Sequence, residues 1–209
     1  VNDADGGNGQ IQIGGGAGTA NFHIAQNLTA QVGTPRAIDA VQIAGEESRF
    51  IVGTNADVNI GGGNVGRFRI TNDLEDGESG GPTYDVDYHL QVSAGTLDIA
   101  ASLIIGEGAG VQITGGTTNI GLTTSGGTND LIYTNDPDGP SIFEVSGGSV
   151  NIGDGNCTIT LGNGNNTPSF GDLVGYNEFE IAGGTVTING RLYLRDNNSR
   201  IIFNGGTLN

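Results

Sequence analysis

The residues of this chain best suited to chemistry are carboxylates crowded around glycine turns. Asn72-Asp73-Leu74-Glu75-Asp76-Gly77-Glu78 and Asn135-Asp136-Pro137-Asp138-Gly139 each gather several oxygen ligands, as does Asn2-Asp3-Ala4-Asp5-Gly6. Hard cations such as Ca2+ take roughly six to eight oxygens, some of them backbone carbonyls. Asp73, Glu75, Asp76, Glu78, Asp136 and Asp138 are therefore the candidate metal ligands, and Ca2+ is the candidate cofactor. None of these stretches matches the EF-hand pattern. The competing reading is a solvated acidic turn in which Asp and Asn cap their own backbone. Tyr84, Tyr133, Phe170 and Tyr176 lie in the same acidic parts of the chain. Rings beside carboxylates can stack on sugars, so these four are the candidate ligand-binding residues and a polysaccharide the candidate partner. Packing of the loops on themselves is the alternative.

Other catalytic constellations are hard to assemble. His23 and His89 fall at expected outward strand positions with no clustered partner, which argues against zinc or a nucleophile triad. The chain has no lysine, and Arg67, Arg69, Arg191 and Arg195 flank apolar strand positions as solvent-facing residues do. A pair such as Asp136 and Asp172 has the residue types of a glycosidase, but among 23 carboxylates such a pair carries little information. Cys157 shares the parity of Ile159 and Leu161, as a buried inert thiol would. No catalytic residue is assigned, and the expectation is a protein that is not an enzyme.

Those side chains must be held by strands. The 209 residues include 40 Gly and no Met or Trp, and seven cations oppose 23 acids for a net charge of −16. Such a field repels nucleic acid and anionic membrane surfaces and attracts cations. No apolar run approaches the ~18 residues of a membrane helix, so neither nucleic acid nor membrane insertion is expected. Apolar residues, 35% of the chain, recur in short alternating runs. Thr185-Val186-Thr187-Ile188 alternates as a half-buried strand does, and Asn189-Gly190 turns. Arg191-Leu192-Tyr193-Leu194-Arg195 and Arg200-Ile201-Ile202-Phe203 are two further strands before the next Gly205-Gly206-Thr207.

The same unit stands upstream. Leu97, Ile99, Leu103 and Ile105 align with Val186, Ile188, Leu192 and Leu194 at one offset, and Val111 and Ile113 align with Ile201 and Phe203. A short fixed period of this kind predicts coils stacking on one another. The expected fold is an all-β, right-handed parallel β-helix (β-solenoid) with three short strands per coil of about 21–22 residues, the interval from Gly95 to Gly116 and from Gly184 to Gly206. Residues 1–209 form one such domain, with about seven coils at ~4.8 Å each. The register of residues 1–60 stays open. Thr96, Thr117, Ser149, Thr185 and Thr207 should form one outward column, with Asp98, Asn119, Asn151, Thr187 and Asn209 beside it as a stabilising ladder.

Units of the form Gly-Gly-Thr-Val-x-Ile with Asn-Gly turns resemble the β-helical repeats of secreted and surface bacterial proteins. Autotransporter passenger domains and exported Gly/Asn/Thr-rich repeat proteins are the nearest groups. That resemblance implies an exported, adhesive or structural role and brings no catalytic residues with it.

Longer coils need insertions, and alignment puts them at 71–87, 121–141 and 162–178, all between second and third strands and so at one corner. They hold nearly half of the carboxylates and no arginine. Loops on one edge of a regular scaffold are where solenoids place function. The leading expectation is an extracellular or cell-surface structural β-solenoid, a segment or subunit of a fibre, sheath or adhesin that self-associates head to tail. A carbohydrate-binding module using the acidic, aromatic corner, with or without Ca2+, is the alternative. A polysaccharide-degrading β-helix enzyme ranks below both.

Overall fold

The computed structural model describes residues 10–13, 20–24, 39–44, 49–60, 67–71, 87–99, 102–106, 108–121, 130–134, 140–161, 176–195 and 199–209. Their alternating apolar pattern gives strands throughout, with no helix among the described residues. The first strands are β1 (Gln10–Ile13), β2 (Ala20–Ile24), β3 (Asp39–Ala44), β4 (Arg49–Val52), β5 (Ala56–Ile60) and β6 (Arg67–Thr71). Next come β7 (Asp87–Val92), β8 (Thr96–Ile99), β9 (Leu103–Ile105), β10 (Ala109–Ile113), β11 (Thr117–Ile120) and β12 (Asp130–Thr134). The last are β13 (Ser141–Val145), β14 (Ser149–Leu161), β15 (Asn177–Ile181), β16 (Thr185–Leu194), β17 (Ser199–Phe203) and β18 (Thr207–Leu208).

These strands pair only in parallel and fall into three ladders. The first runs β2, β5, β8, β11, the leading halves of β14 and β16, and β18. The second runs β3, β6, β9, β12 and the trailing halves of β14 and β16. The third is a seven-stranded sheet, β1-β4-β7-β10-β13-β15-β17. Because β14 and β16 run through a corner, the first two ladders merge into one sheet. The chain visits the ladders in the same order each time and adds one strand to each. This all-β architecture of parallel strands in stacked sheets fits a parallel β-solenoid.

One apolar core joins all three ladders, from Ile43 and Phe50 to Ile181 and Val186. The aligned positions become physical columns. Leu97 stacks through Thr118 and Val150 to Val186, and Val111 through Phe143 and Phe179 to Ile201. The rings of Phe143 and Phe179 lie stacked with centroids 5.2 Å apart. Those of Phe50 and Phe68 meet edge-on at 5.4 Å, tying the third ladder to the second. Among the described residues of the first sixty the register is set, with Phe22 opposite Val58, Val41 opposite Phe68 and Ile11 opposite Phe50.

The Gly-Gly pairs are the corner between third and first ladders. There the turns stack on one another as the strands do: Ser149 N–H donates to Gly116 O at 2.9 Å and Thr185 N–H to Gly148 O at 3.0 Å. A Cβ on Gly147 would stand 2.3 Å from Thr114 O, so close packing of turn on turn excludes any side chain. Gly148 adds a φ of +73°, the left-handed region that favours glycine.

Two expectations need correction. Segment 121–141 is not a single insertion after a second strand, because β12 lies inside it and fills the second-ladder place between β9 and β14. The signal was obscured because Thr134 occupies the rung of Ile105, which breaks the apolar alternation. His89 is also not outward. Tyr88 and Leu90 pair with the consecutive residues Gly110 and Val111, so His89 is the extra residue of a β-bulge and is fully buried.

Candidate functional site

The outward side of the third ladder carries the densest set of interacting polar side chains described. Strand alternation sends Val92, Ile113, Val145 and Ile181 inward, so Gln91, Gln112, Glu144 and Glu180 share an outward column. Tyr88 donates its hydroxyl to Glu144 Oε2 at 2.5 Å, and Gln112 Nε2 donates to the same oxygen at 3.4 Å. Asn204 Nδ2 donates to Glu180 Oε1 at 2.8 Å. In the neighbouring column Glu178, almost entirely buried, pairs with the Arg200 guanidinium, which lies 4.0 Å over the Tyr176 ring.

Burial, then the hydrogen bond and charge of Glu144, push the Tyr88 phenol well above its ordinary value. Tyr88 is thus held as a hydrogen-bond donor through neutral pH. The strip is a row of carboxylates closed by the protein's own donors, an arrangement that locks successive rungs together. Sequence reasoning missed it. The alternation Phe143-Glu144-Val145 and Phe179-Glu180-Ile181 before successive Gly-Gly pairs, like Val111-Gln112-Ile113, was a signal for this outward column.

The first ladder presents a second polar face. Thr96, Thr117, Ser149, Thr185 and Thr207 are register partners, as are Asn59, Asp98, Asn119, Asn151 and Thr187. Asn119 Nδ2 donates to Asp98 Oδ1 at 2.6 Å, and Asn151 Nδ2 to Asn119 Oδ1 at 2.8 Å. Side-chain amides here repeat the coil-to-coil bonding of the backbone.

Most of the expected site residues are not among those described. Asp73, Glu75, Asp76, Glu78, Asp136, Asp138, Tyr84 and Phe170 lie outside the described residues. Tyr133 is a second-ladder strand residue, beside Ile104 and Thr160, with its side chain outside the description. Tyr176 is half-buried and engaged with Arg200. Among the described residues no three His, Cys, Asp or Glu side chains gather as a metal site.

The third feature is an edge. On β16, β17 and β18 the buried columns come to the surface, with Leu194 51%, Phe203 56% and Leu208 44% exposed, and Tyr193 and Ile201 beside them. Comparison with protein-family models, with curated proteins and with solved structures finds no match to the chain.

Proposed function

We propose that the chain is a non-catalytic β-solenoid, a segment or subunit of an extracellular fibre, sheath or adhesin in which coils join end to end. In this reading each set of three strands is one closed coil. The coils wind as a right-handed parallel β-helix, the sense that crossovers between parallel strands take almost without exception. The repeated order of the ladders around one shared core supports it.

The observation that carries the assembly is the apolar edge of β16–β18. A strand edge with an exposed apolar row is a template for another strand, and a coil buries its core only against neighbours. The charge of −16 keeps such rods from clumping sideways. Extracellular placement rests on the likeness of the repeats to exported β-helical proteins.

Negative-stain microscopy and light scattering on the 209-residue chain test the proposal. Rods that lengthen with protein concentration are expected, and Leu194→Arg with Phe203→Arg should arrest them at single length while leaving the strand content unchanged. Single monodisperse rods of the unaltered chain at high concentration would overturn it.

A further inference from the structure

The edge that exposes Ile201, Phe203 and Leu208 is chemically unlike the rest of this acidic chain. Of the seven cations, Arg191, Arg195 and Arg200 lie between Gly183 and Asn209, where Asp196 is the sole carboxylate. At the opposite side of the ladders, β1, β2 and β3 each pair with one strand among those described. Residues 1–44, the stretch that holds β1, β2 and β3, contain Asp3, Asp5 and Asp39 against Arg36. Two β17 edges meeting each other would bring the Arg191 and Arg195 of two copies to one interface, an unfavourable like-charge contact. A β17 edge meeting a β1 edge joins basic to acidic.

Turn geometry adds a second restriction. Gly205 packs so closely on the preceding turn that a Cβ there would stand 2.6 Å from Ala182 O, and Gly115, Gly147 and Gly183 are as tightly placed, although Ala94 fills the same place in the 93–95 turn. A coil added above Gly205–Gly206 is favoured by a glycine-rich turn. The sequence linking β1 to β2 is Gly14-Gly15-Gly16-Ala17-Gly18-Thr19.

Resting on the end-to-end reading above, we propose that the β17–β18 edge takes the β1–β2 edge of a second copy, head to tail and in parallel. The ladder registers then fix the pairing: Ile11 of the second copy falls opposite Ile201, Ile13 opposite Phe203 and Phe22 opposite Leu208. Gln12 and Ile202 become register partners, at the ~4.8 Å rung spacing that a disulfide can bridge. Contacts of this kind do not close on themselves, so the product is a filament.

In a Cys157→Ser background, chains carrying Gln12→Cys are mixed with chains carrying Ile202→Cys under mild oxidation. The mixture is expected to give disulfide-linked pairs, and either chain alone none. Replacing Arg191 and Arg195 with Glu should weaken association about tenfold or more, as for like-charge contacts at an interface. Cross-linking of Ile202→Cys with itself, or association without any cross-link, would overturn the head-to-tail contact while leaving end-to-end assembly standing. Absence of association in the unaltered chain would remove both.

Discussion

At Thr118 a hydroxyl sits in a column otherwise built from Leu97, Val150 and Val186. Thr118 is 1% exposed and its Oγ1 has no hydrogen-bond partner. A buried unpaired hydroxyl costs about 1–3 kcal/mol, and valine has the same shape without it. Thr118→Val is therefore expected to stabilise the fold by about 1 kcal/mol, raising the thermal midpoint by roughly 2–4 °C in a scan of the variant. Tyr88 supplies a pH prediction. Its folded-state pKa is raised above the ordinary 10.0, so its contribution is complete below that value and is lost as pH rises beyond it, where only the unfolded chain releases the proton. Denaturant midpoints should fall above about pH 10, and less steeply in Tyr88→Phe. The inward column of Thr118 was legible from alternation, whereas the outward place of Tyr88 was not, because alternation counted back from Leu90 puts it inward. The buried state of His89 was not legible either, because a bulge reverses parity and leaves no mark in residue type.

Among the elements, the Gly-Gly corners carry the most information per residue. Gly147 has no left-handed φ, so intrinsic backbone preference would admit alanine there. Stacking forbids it, because the nearest obstacle is the carbonyl oxygen of Thr114 and not a flexible side chain. Gly155 reverses the case, with a φ of +103° and open space around it. Gly147→Ala is expected to cost about 3 kcal/mol or more and Gly155→Ala about 1–2 kcal/mol, a ranking that chemical denaturation can check. The reverse ranking would mean that the turns do not stack as described. The Gly-Gly motif was visible as punctuation in the sequence, yet its first glycine is required by a turn in another coil. Strand β12 shows the opposite limit. Its place in the second ladder rests on partners in β9 and β14, and Thr134 at an inward rung hid it from a search for apolar alternation.

For the molecule as a whole, strand pairing joins each rung only to the rungs before and after it, with side chains such as Tyr88 reaching one rung further, so stability should behave mainly as a row of nearest-neighbour terms. Amide exchange in a single-length Phe203→Arg variant is expected to be slowest in β11 and β13 and fastest in β17 and β18. In the unaltered chain, protection at β17 should rise with concentration as another coil covers it. Equal protection along the stack in the variant would mean one cooperative unit. By itself the sequence determined that the chain is all-β, which residues point inward, and which of them recur as one coil, because alternation and turn chemistry are local. Tertiary structure alone decided which rungs are neighbours when coil lengths differ. That choice carries Tyr88 to Glu144, Arg200 to Glu178, and the apolar columns to an edge where Phe203 meets solvent. These contacts depend on how far the chain travels before it returns to the same ladder, and only strand pairing in three dimensions sets that distance.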